Sequence, residues 1–385
     1  MKRKTLYFTA PRQVELREES LSALGADDVL VETICSSISA GTEMLVYRGQ
    51  FPHLKDSHDN LSSDLNYPLA YGYACVGVIR ETGKQADKSL RDKIVFGFEP
   101  HTSSFICHPS TLIFAPASLS AETCSFLPNM ETAVNLVHDA APILGERVLV
   151  LGQGVVGLMT ASLLHEFPLE VLVTSDCYPL RRKSSLEIGV NDSFEPEIIN
   201  EANANDKISV NPNQSQPITS QSNESQSNTS QPNESQPNSS QLNKSQLNKF
   251  QSNKTQSGYT QSRFDLTFEL TGSPSALDDA IASTAFSGRI IIGSWYGDKR
   301  AAIDLGGAFH RSRIKIISSQ VSTIAPELSG RWDKSRRFDV AWKALERIKP
   351  EKWITHRFPI EKAEEAYQLL DENPQKTIQV LFTYS

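Results

Sequence analysis

Arg147-Val148-Leu149-Val150-Leu151-Gly152-Gln153-Gly154-Val155-Val156-Gly157 is the stretch from which the rest of the chain can be read. Val148 to Leu151 is an apolar run of strand length, a Gly-x-Gly-x-x-Gly element follows it, and Leu158 to Phe167 has a helical pattern. A lone glycine motif is weak evidence. One that leaves a strand, opens a helix and is followed by an acid about 20 residues on has the full context of a dinucleotide-binding turn. Gly152 permits the tight turn, Gly154 lets the backbone approach a pyrophosphate, and Gly157 lets helix and strand pack closely. Val155 and Val156, at the helix N-terminus that the phosphate charge would face, complete the candidate cofactor-binding turn. The acid is Asp176, just past a second buried strand at Leu169 to Thr174. A carboxylate there accepts the ribose hydroxyls of NAD and repels the 2′-phosphate of NADP, so NAD is favoured. Arg181 and Arg182 keep NADP open, since a guanidinium can also serve a 2′-phosphate; the alternative is that both are solvated charges at a helix start.

Working outward, Phe264 to Glu269, Gly288 to Gly293 and Ile314 to Ser318 read as further strands, with a helix at Ser275 to Thr284. Strands alternating with helices imply a doubly wound parallel sheet. The series is interrupted from about Pro196 to Ser262 by a segment of Ser, Gln, Asn, Lys and Pro, with Asn recurring at Asn223, Asn228, Asn233, Asn238, Asn243, Asn248 and Asn253. Such a composition buries too little apolar surface to offset its ordering entropy, and a disordered insert is expected. Its Asn-x-Ser/Thr strings follow from composition alone. The first hundred residues differ again: short runs such as Val29 to Thr33 and Lys93 to Gly97 lie between Gly, Pro and Asp turns, as in a β-rich domain of barrel type. Phe338 to Ile348 and Glu361 to Leu370 read as helices, and Thr377 to Phe382 as a strand that can rejoin the first domain. The expected organisation is a catalytic domain over 1–127, a dinucleotide-binding domain over 128–320 with the insert at 196–262, and a returning segment over 321–385.

The chain has 385 residues, 39% of them hydrophobic, which is room for two ordinary domains. A net charge of -7 offers no field for phosphate backbones, so no nucleic-acid partner is expected. The amino-terminal stretch breaks at Pro11 without the apolar run of a signal peptide, and no window approaches the roughly 20 apolar residues of a spanning helix. The expectation is therefore no membrane partner and a cytoplasmic location. Cys35, Cys75, Cys107, Cys124 and Cys177 stand far apart, with no paired spacing, and read as buried reduced thiols.

Beyond the glycine fingerprint, four stretches carry a wider pattern: Asp28 to Glu32, Ser39-Ala40-Gly41-Thr42-Glu43, Pro68 to Val78 and Glu269-Leu270-Thr271-Gly272-Ser273-Pro274. With them the chain resembles the medium-chain dehydrogenase/reductase superfamily over nearly its whole length apart from the insert. The resemblance implies an α/β protein with a GroES-like β-rich catalytic domain, a Rossmann domain and an active-site cleft between them. In zinc-bearing members the second of these stretches reads Cys-Gly-Thr-Asp and the third contains Gly-His-Glu. Here Ala40 stands for the Cys, Tyr73 for the His and Ala74 for the Glu. Neither alanine can hold a metal, and a phenol with a pKa of about 10 is a poor zinc ligand. Glu131, in the region that often supplies a further ligand, is a single carboxylate, and the four-cysteine structural lobe is missing. No zinc is expected. Gly49-Gln50-Phe51-Pro52 and the Tyr-Pro-Leu-x-x-Gly-Tyr element bring the pattern nearest to the branch containing the bacteriochlorophyllide hydroxyethyl dehydrogenases, which oxidise a secondary alcohol on a chlorin ring.

The same resemblance nominates the remaining site residues. Thr42 matches the position whose hydroxyl contacts the substrate oxygen and relays its proton, with a turn-stabilising role as the alternative. Tyr73 can donate to a carbonyl oxygen or simply fill the vacated metal pocket. Glu43 is expected to orient its loop or pair with an arginine, and His138 to shuttle protons or serve structurally. Gly272, Ser273 and Gly293 should approach the nicotinamide, and Lys376 matches a basic position near the pyrophosphate. The implied activity is NAD(P)-linked interconversion of an alcohol and a ketone or aldehyde on a bulky small-molecule substrate. Two other readings stay open: a zinc-free quinone or enone reductase, and a non-catalytic dinucleotide-binding scaffold or sensor. A homodimer is possible through Arg289 to Gly293 and Ala301 to Phe309. The loop His53 to Asn66, on which pocket shape depends, carries no decodable pattern.

Overall fold

A computed structural model describes residues 1–51, 65–196 and 263–384. The expected disordered insert lies outside them except for Pro196, as does most of the loop from His53 to Asn66. Every apolar run named above as a strand forms one. The dinucleotide-type sheet has the order β11-β10-β9-β12-β13-β14, built from Asp192–Phe194 (β11), Val171–Ser175 (β10), Arg147–Leu151 (β9), Phe264–Glu269 (β12), Thr284–Ile292 (β13) and Lys315–Ser318 (β14). All neighbours are parallel, with Val150 opposite Thr174 on one side and Phe268 on the other. Continuous apolar runs suit this setting, because helices cover both faces of a parallel sheet. The strand order reverses between β9 and β12, so a crevice opens beyond the carboxyl ends of those two strands, where open α/β sheets bind ligands.

Two differences from the expected elements have local causes. The helix after the fingerprint, α4 (Val155–Leu164), starts three residues early, directly after its N-cap Gly154. β13 starts at Thr284 rather than Gly288: the Thr284 hydroxyl donates to Ala280 O (2.7 Å) and meets that of Thr267 (2.9 Å), holding the strand in a shifted register.

The first part of the chain forms a seven-stranded sheet, mostly antiparallel. Its order is β15 (Ile354–Pro359), β16 (Gln379–Thr383), β3 (Val29–Ile38), β5 (Cys75–Thr82), β6 (Ile94–Gly97) and β8 (Ile113–Phe114), with β7 (Ser104–Cys107) also on β3. β1 (Lys2–Ala10), β2 (Gln13–Ser20) and β4 (Leu69–Ala70) make a small third sheet. The carboxyl-terminal strand returns as anticipated: β16 runs antiparallel to β3, with Val380 opposite Ile38. The β-rich part contains one helix with no strong sequence pattern, α1 (Thr42–Arg48). One buried apolar cluster joins the seven-stranded sheet to the helices, including Val76 and Phe96 from the sheet, Met130 and Val134 from α3 (Leu127–Ala140), Leu158 and Met159 from α4, and Trp342 and Leu345 from α7 (Lys334–Ile348). Cys35, Cys75 and Cys124 are buried and Cys107 half-buried, but Cys177 is exposed, which corrects the expectation of buried thiols there; all five are free. Among the described residues no helix is long and apolar enough to cross a membrane.

Candidate active-site and cofactor cleft

The three fingerprint glycines have three different surroundings. Gly152 has φ of +87°, and an added Cβ would lie 2.6 Å from Leu270 O. A Cβ on Gly157 would lie 1.9 Å from Gly152 O, so helix α4 and the end of β9 approach too closely for any side chain. Around Gly154 a Cβ would meet nothing within 4 Å. That open space lies at the N-terminus of α4, where no side chain caps the helix, and the free N–H groups beyond Gly154, in the turn carrying Val155 and Val156, make it suited to an anion.

Asp176 is buried at the carboxyl end of β10. Its Oδ2 accepts from the Gln153 backbone N–H (2.7 Å) and its Oδ1 from that of Tyr178 (2.8 Å), which ties it to the fingerprint turn. Arg181 is not a solvated charge: its guanidinium lies 3.9 Å from Asp176, stacks over Tyr178 and donates to Thr377 O (3.2 Å) and Pro374 O (3.3 Å). Arg182 donates to the carbonyls of Asp176 and Cys177. Lys376 is exposed in the turn Pro374–Lys376 that Arg181 clasps, on the Asp176 side of the cleft.

At the end of β12, the Gly272 N–H donates to Ser294 Oγ (2.8 Å), and the Ser273 N–H to Thr271 Oγ1 (3.0 Å). Glu269 is fully buried: its Oε1 accepts from the Thr271 N–H and hydroxyl, and its Oε2 from the Tyr296 hydroxyl at 2.5 Å. Gly293 has a packing reason for its identity, since a Cβ would sit 2.6 Å from Leu270 Cδ2 and 2.7 Å from Leu136 Cδ2.

Thr42, Glu43 and Tyr73 come together. Thr42 opens α1, its N–H donating to Ser39 Oγ (3.4 Å). The Tyr73 phenol lies near enough to the Ser39 and Thr42 hydroxyls for them to act on its titration. Burial pushes its pKa up to about 12, the Glu43 charge adds to the rise, and the two hydroxyls pull it back. At neutral pH Tyr73 is therefore a proton donor and not a phenolate base. Glu43 is completely buried and pairs with no arginine: it accepts from the Ser39 N–H (2.9 Å), the Tyr367 hydroxyl (2.7 Å) and His101 Nε2 (2.9 Å), while His101 Nδ1 meets Ser36 Oγ at 2.7 Å. The carboxylate thus fixes the Ser39–Thr42 turn from beneath. His101 carried no recognisable signal, because it reaches Glu43 only once the segment Glu99 to Thr102 folds back over β3.

His138 lies apart from that group. Its ring packs on Trp332 with centroids 4.2 Å apart, and burial first, then Arg337 and Arg336, lowers its pKa. Glu131 is spoken for as well: the fully buried Arg337 donates to its Oε1 through Nε (3.0 Å) and Nη2 (2.6 Å), and through Nη1 to Asn135 Oδ1 (2.6 Å). With Ala40, Tyr73 and Ala74 at the positions compared above, the donors in this region do not fit a zinc ion. Among the described residues no group of three or more His, Cys, Asp or Glu side chains could hold a metal.

With this geometry the class is defined at the level of fold: the chain has the fold of the medium-chain, zinc-type alcohol dehydrogenases. Its solved likenesses include 2R,3R-butanediol dehydrogenase from Bacillus subtilis (TM-score 0.68, 14% identity, 99% of each chain). An Escherichia coli CFT073 alcohol dehydrogenase complexed with NADH (0.65, 16%, 99% of each) is also similar. So is a zinc-binding dehydrogenase from Sinorhizobium meliloti bound to NADP (0.68, 13%, 100% of this chain and 99% of that one). In sequence it is similar to 2-desacetyl-2-hydroxyethyl bacteriochlorophyllide A dehydrogenase of Cereibacter sphaeroides, 29% identical over 143 residues. That match spans 37% of this chain and 39% of the relative's length. No family model matches the chain.

Proposed function

We propose that the protein is an NAD(P)-dependent oxidoreductase that interconverts an alcohol and a ketone or aldehyde on a bulky substrate without zinc. The observation that carries this reading is the uncapped α4 N-terminus beside Gly154, open to a ligand at the point where the strand order reverses. The dinucleotide complexes of two proteins with this fold support the cofactor class. Bound there, a nicotinamide supplies the hydride acceptor or donor. In metal-bearing enzymes a Lewis acid stabilises the alkoxide; here that stabilisation falls to preorganised hydrogen bonds. Tyr73, held protonated, donates to a ketone oxygen, and Thr42 orients that oxygen and takes part in holding its proton. Glu43 and His101 act behind them by fixing the turn. Asp176 and the occupied donors of Arg181 favour NAD over NADP. The five free thiols suit a reducing cytoplasm; Arg289 to Ile292 lies on β13, paired by β12 and β14, so the edge that β14 presents among the described residues, and not that strand, is where a second copy would pair.

Fluorescence titration with NADH and NADPH, a panel of secondary alcohols, ketones and quinones, and metal analysis of the purified protein test this reading together. The expected result is tighter NADH binding, turnover of an alcohol–ketone pair and less than one zinc per chain. Failure to bind either dinucleotide defeats the proposal, while tight binding with every compound inert would favour a scaffold. Asp176→Ala should weaken NADH binding about tenfold or more, the worth of one charge-assisted hydrogen bond. Unchanged affinity would remove Asp176 from the site.

A further inference from the structure

Lys299 has an environment that the hydride-transfer chemistry does not explain. The loop after β13 crosses to the β-rich part of the chain: the Asp298 N–H donates to Gln50 O (3.2 Å), and Gly297 lies so close to Gln50 that a Cβ would stand 2.2 Å from that carbonyl. The crossing holds the half-buried Lys299 between the end of β12 and the end of α1, where its ammonium donates to the Gly272 carbonyl. Among the described residues no carboxylate comes within ion-pair distance of it. Glu269 acts on it only through space, its oxygens being taken by Thr271 and Tyr296, and the adjacent Asp298 is exposed. The neighbouring charge from α1 is another cation, Arg48. Arg48 and Arg12 share one carboxylate, Asp371, at 2.6 and 2.7 Å. Burial and the Arg48 charge both depress the lysine's pKa, Glu269 and Asp298 opposing them. Among the described residues its hydrogen-bond partner is a carbonyl, and a half-buried ammonium so placed gains from an anion that a ligand brings.

We propose that Lys299, with Arg48 at the neighbouring end of α1, binds an anionic group of the substrate, a carboxylate or phosphate placed away from the reacting carbon. This rests on the cleft reading above. Thr42 and Arg48 stand at opposite ends of α1, about 9 Å apart at 1.5 Å per residue, so the substrate must be long enough to reach both ends. The inference narrows the bulky substrate to an anionic alcohol or ketone, with the ammonium as a point-charge partner and the guanidinium as a forked one.

The test compares acetophenone, 4-acetylbenzoate and 4-acetylphenyl phosphate for binding to the protein–NADH complex, read by the change in NADH fluorescence. The wild type should bind at least one of the charged ketones tenfold or more tighter than acetophenone, with the preference shrinking as salt is raised. Carboxylate or phosphate is identified by which of the two binds. Lys299→Gln should reduce the preference to about twofold or less, and Lys299→Arg should retain most of it. Equal binding of charged and neutral ketones by the wild type, no binding of any of them, or a preference that survives Lys299→Gln in a protein with unchanged unfolding midpoint overturns the proposal. Because NADH binding is measured first in the same titration, a protein that binds NADH but ignores charge defeats only this inference. One that binds no NADH defeats the dinucleotide reading instead.

Discussion

Gly157→Ala should lower the unfolding midpoint and abolish most of the dinucleotide affinity, whereas Gly154→Ala should affect only the affinity. The two glycines are three residues apart in one motif, and their surroundings match the two different roles the motif implies. A Cβ on Gly157 would lie 1.9 Å from the Gly152 carbonyl oxygen, a contact relieved only by moving α4 away from β9. Overpacking of this kind costs about 1–3 kcal/mol. Here it also displaces the N–H groups that would face the phosphate, so NADH binding should weaken tenfold or more. Gly154 is the opposite case, with φ of -67° that any residue adopts and nothing within 4 Å of an added Cβ. Gly154→Ala should therefore keep the wild-type midpoint to within about 0.5 kcal/mol, as for substitutions away from packed groups. Its methyl group would fill only the space a ligand needs. Thermal unfolding with and without NADH separates the two effects. A Gly157→Ala protein as stable as the wild type would contradict the close helix–strand approach, and undiminished NADH binding by Gly154→Ala would move the ligand elsewhere.

Arg337→Met should destabilise the fold by about 3–5 kcal/mol, the cost of leaving a buried carboxylate without its partner. Arg337 is fully buried on α7 and binds Glu131 and Asn135 of α3 together with the carbonyls of Val321 and Thr323, so one guanidinium joins two helices and the segment after β14. Burial raises the Glu131 carboxyl pKa more than Arg337 draws it down. Once the arginine is gone, Glu131 is expected to take up a proton rather than remain charged. The double variant Glu131→Leu with Arg337→Met should recover much of the loss, because removing both charges also removes their desolvation penalty. Denaturant unfolding of the two variants checks this. Equal instability of the double and single variants would place the cost in the backbone carbonyls of Val321 and Thr323 instead.

The fold was unusually open to reading, and the reasons are local. Val148 to Leu151 and Val171 to Thr174 are buried on both faces of a parallel sheet, and Phe264 to Glu269 is buried except for Asp265, so apolar side chains dominate each run and make it stand out. The fingerprint turn and Asp176 are confined to one strand–helix–strand unit, and their relation is settled within about thirty residues. In the β-rich part the pattern is weaker. The helix Thr42–Arg48 has only seven residues, two turns, which is too short for a helical period to stand out.

The candidate site was legible only in part. The placing of Thr42, Glu43 and Tyr73 in one group was readable through resemblance, but their partners were not. Glu43 finds His101 and Tyr367, 58 and 324 residues away in the chain, and Lys299 reaches Gly272 in a loop that also crosses to Gln50 beyond α1. Arg181, which reads as a helix-start charge, turns out to clasp the segment at Pro374 and Thr377. By itself the sequence determined the dinucleotide-type unit, the returning carboxyl-terminal strand and the identity of Ala40, Tyr73 and Ala74 at the compared positions. All of these are written in short-range patterns of apolar and small residues or in the identity of single side chains. Tertiary structure alone decided which buried charges are neutralised and which lysine, among the described residues, has no carboxylate within ion-pair distance. Those outcomes depend on distances between residues that the chain order keeps far apart.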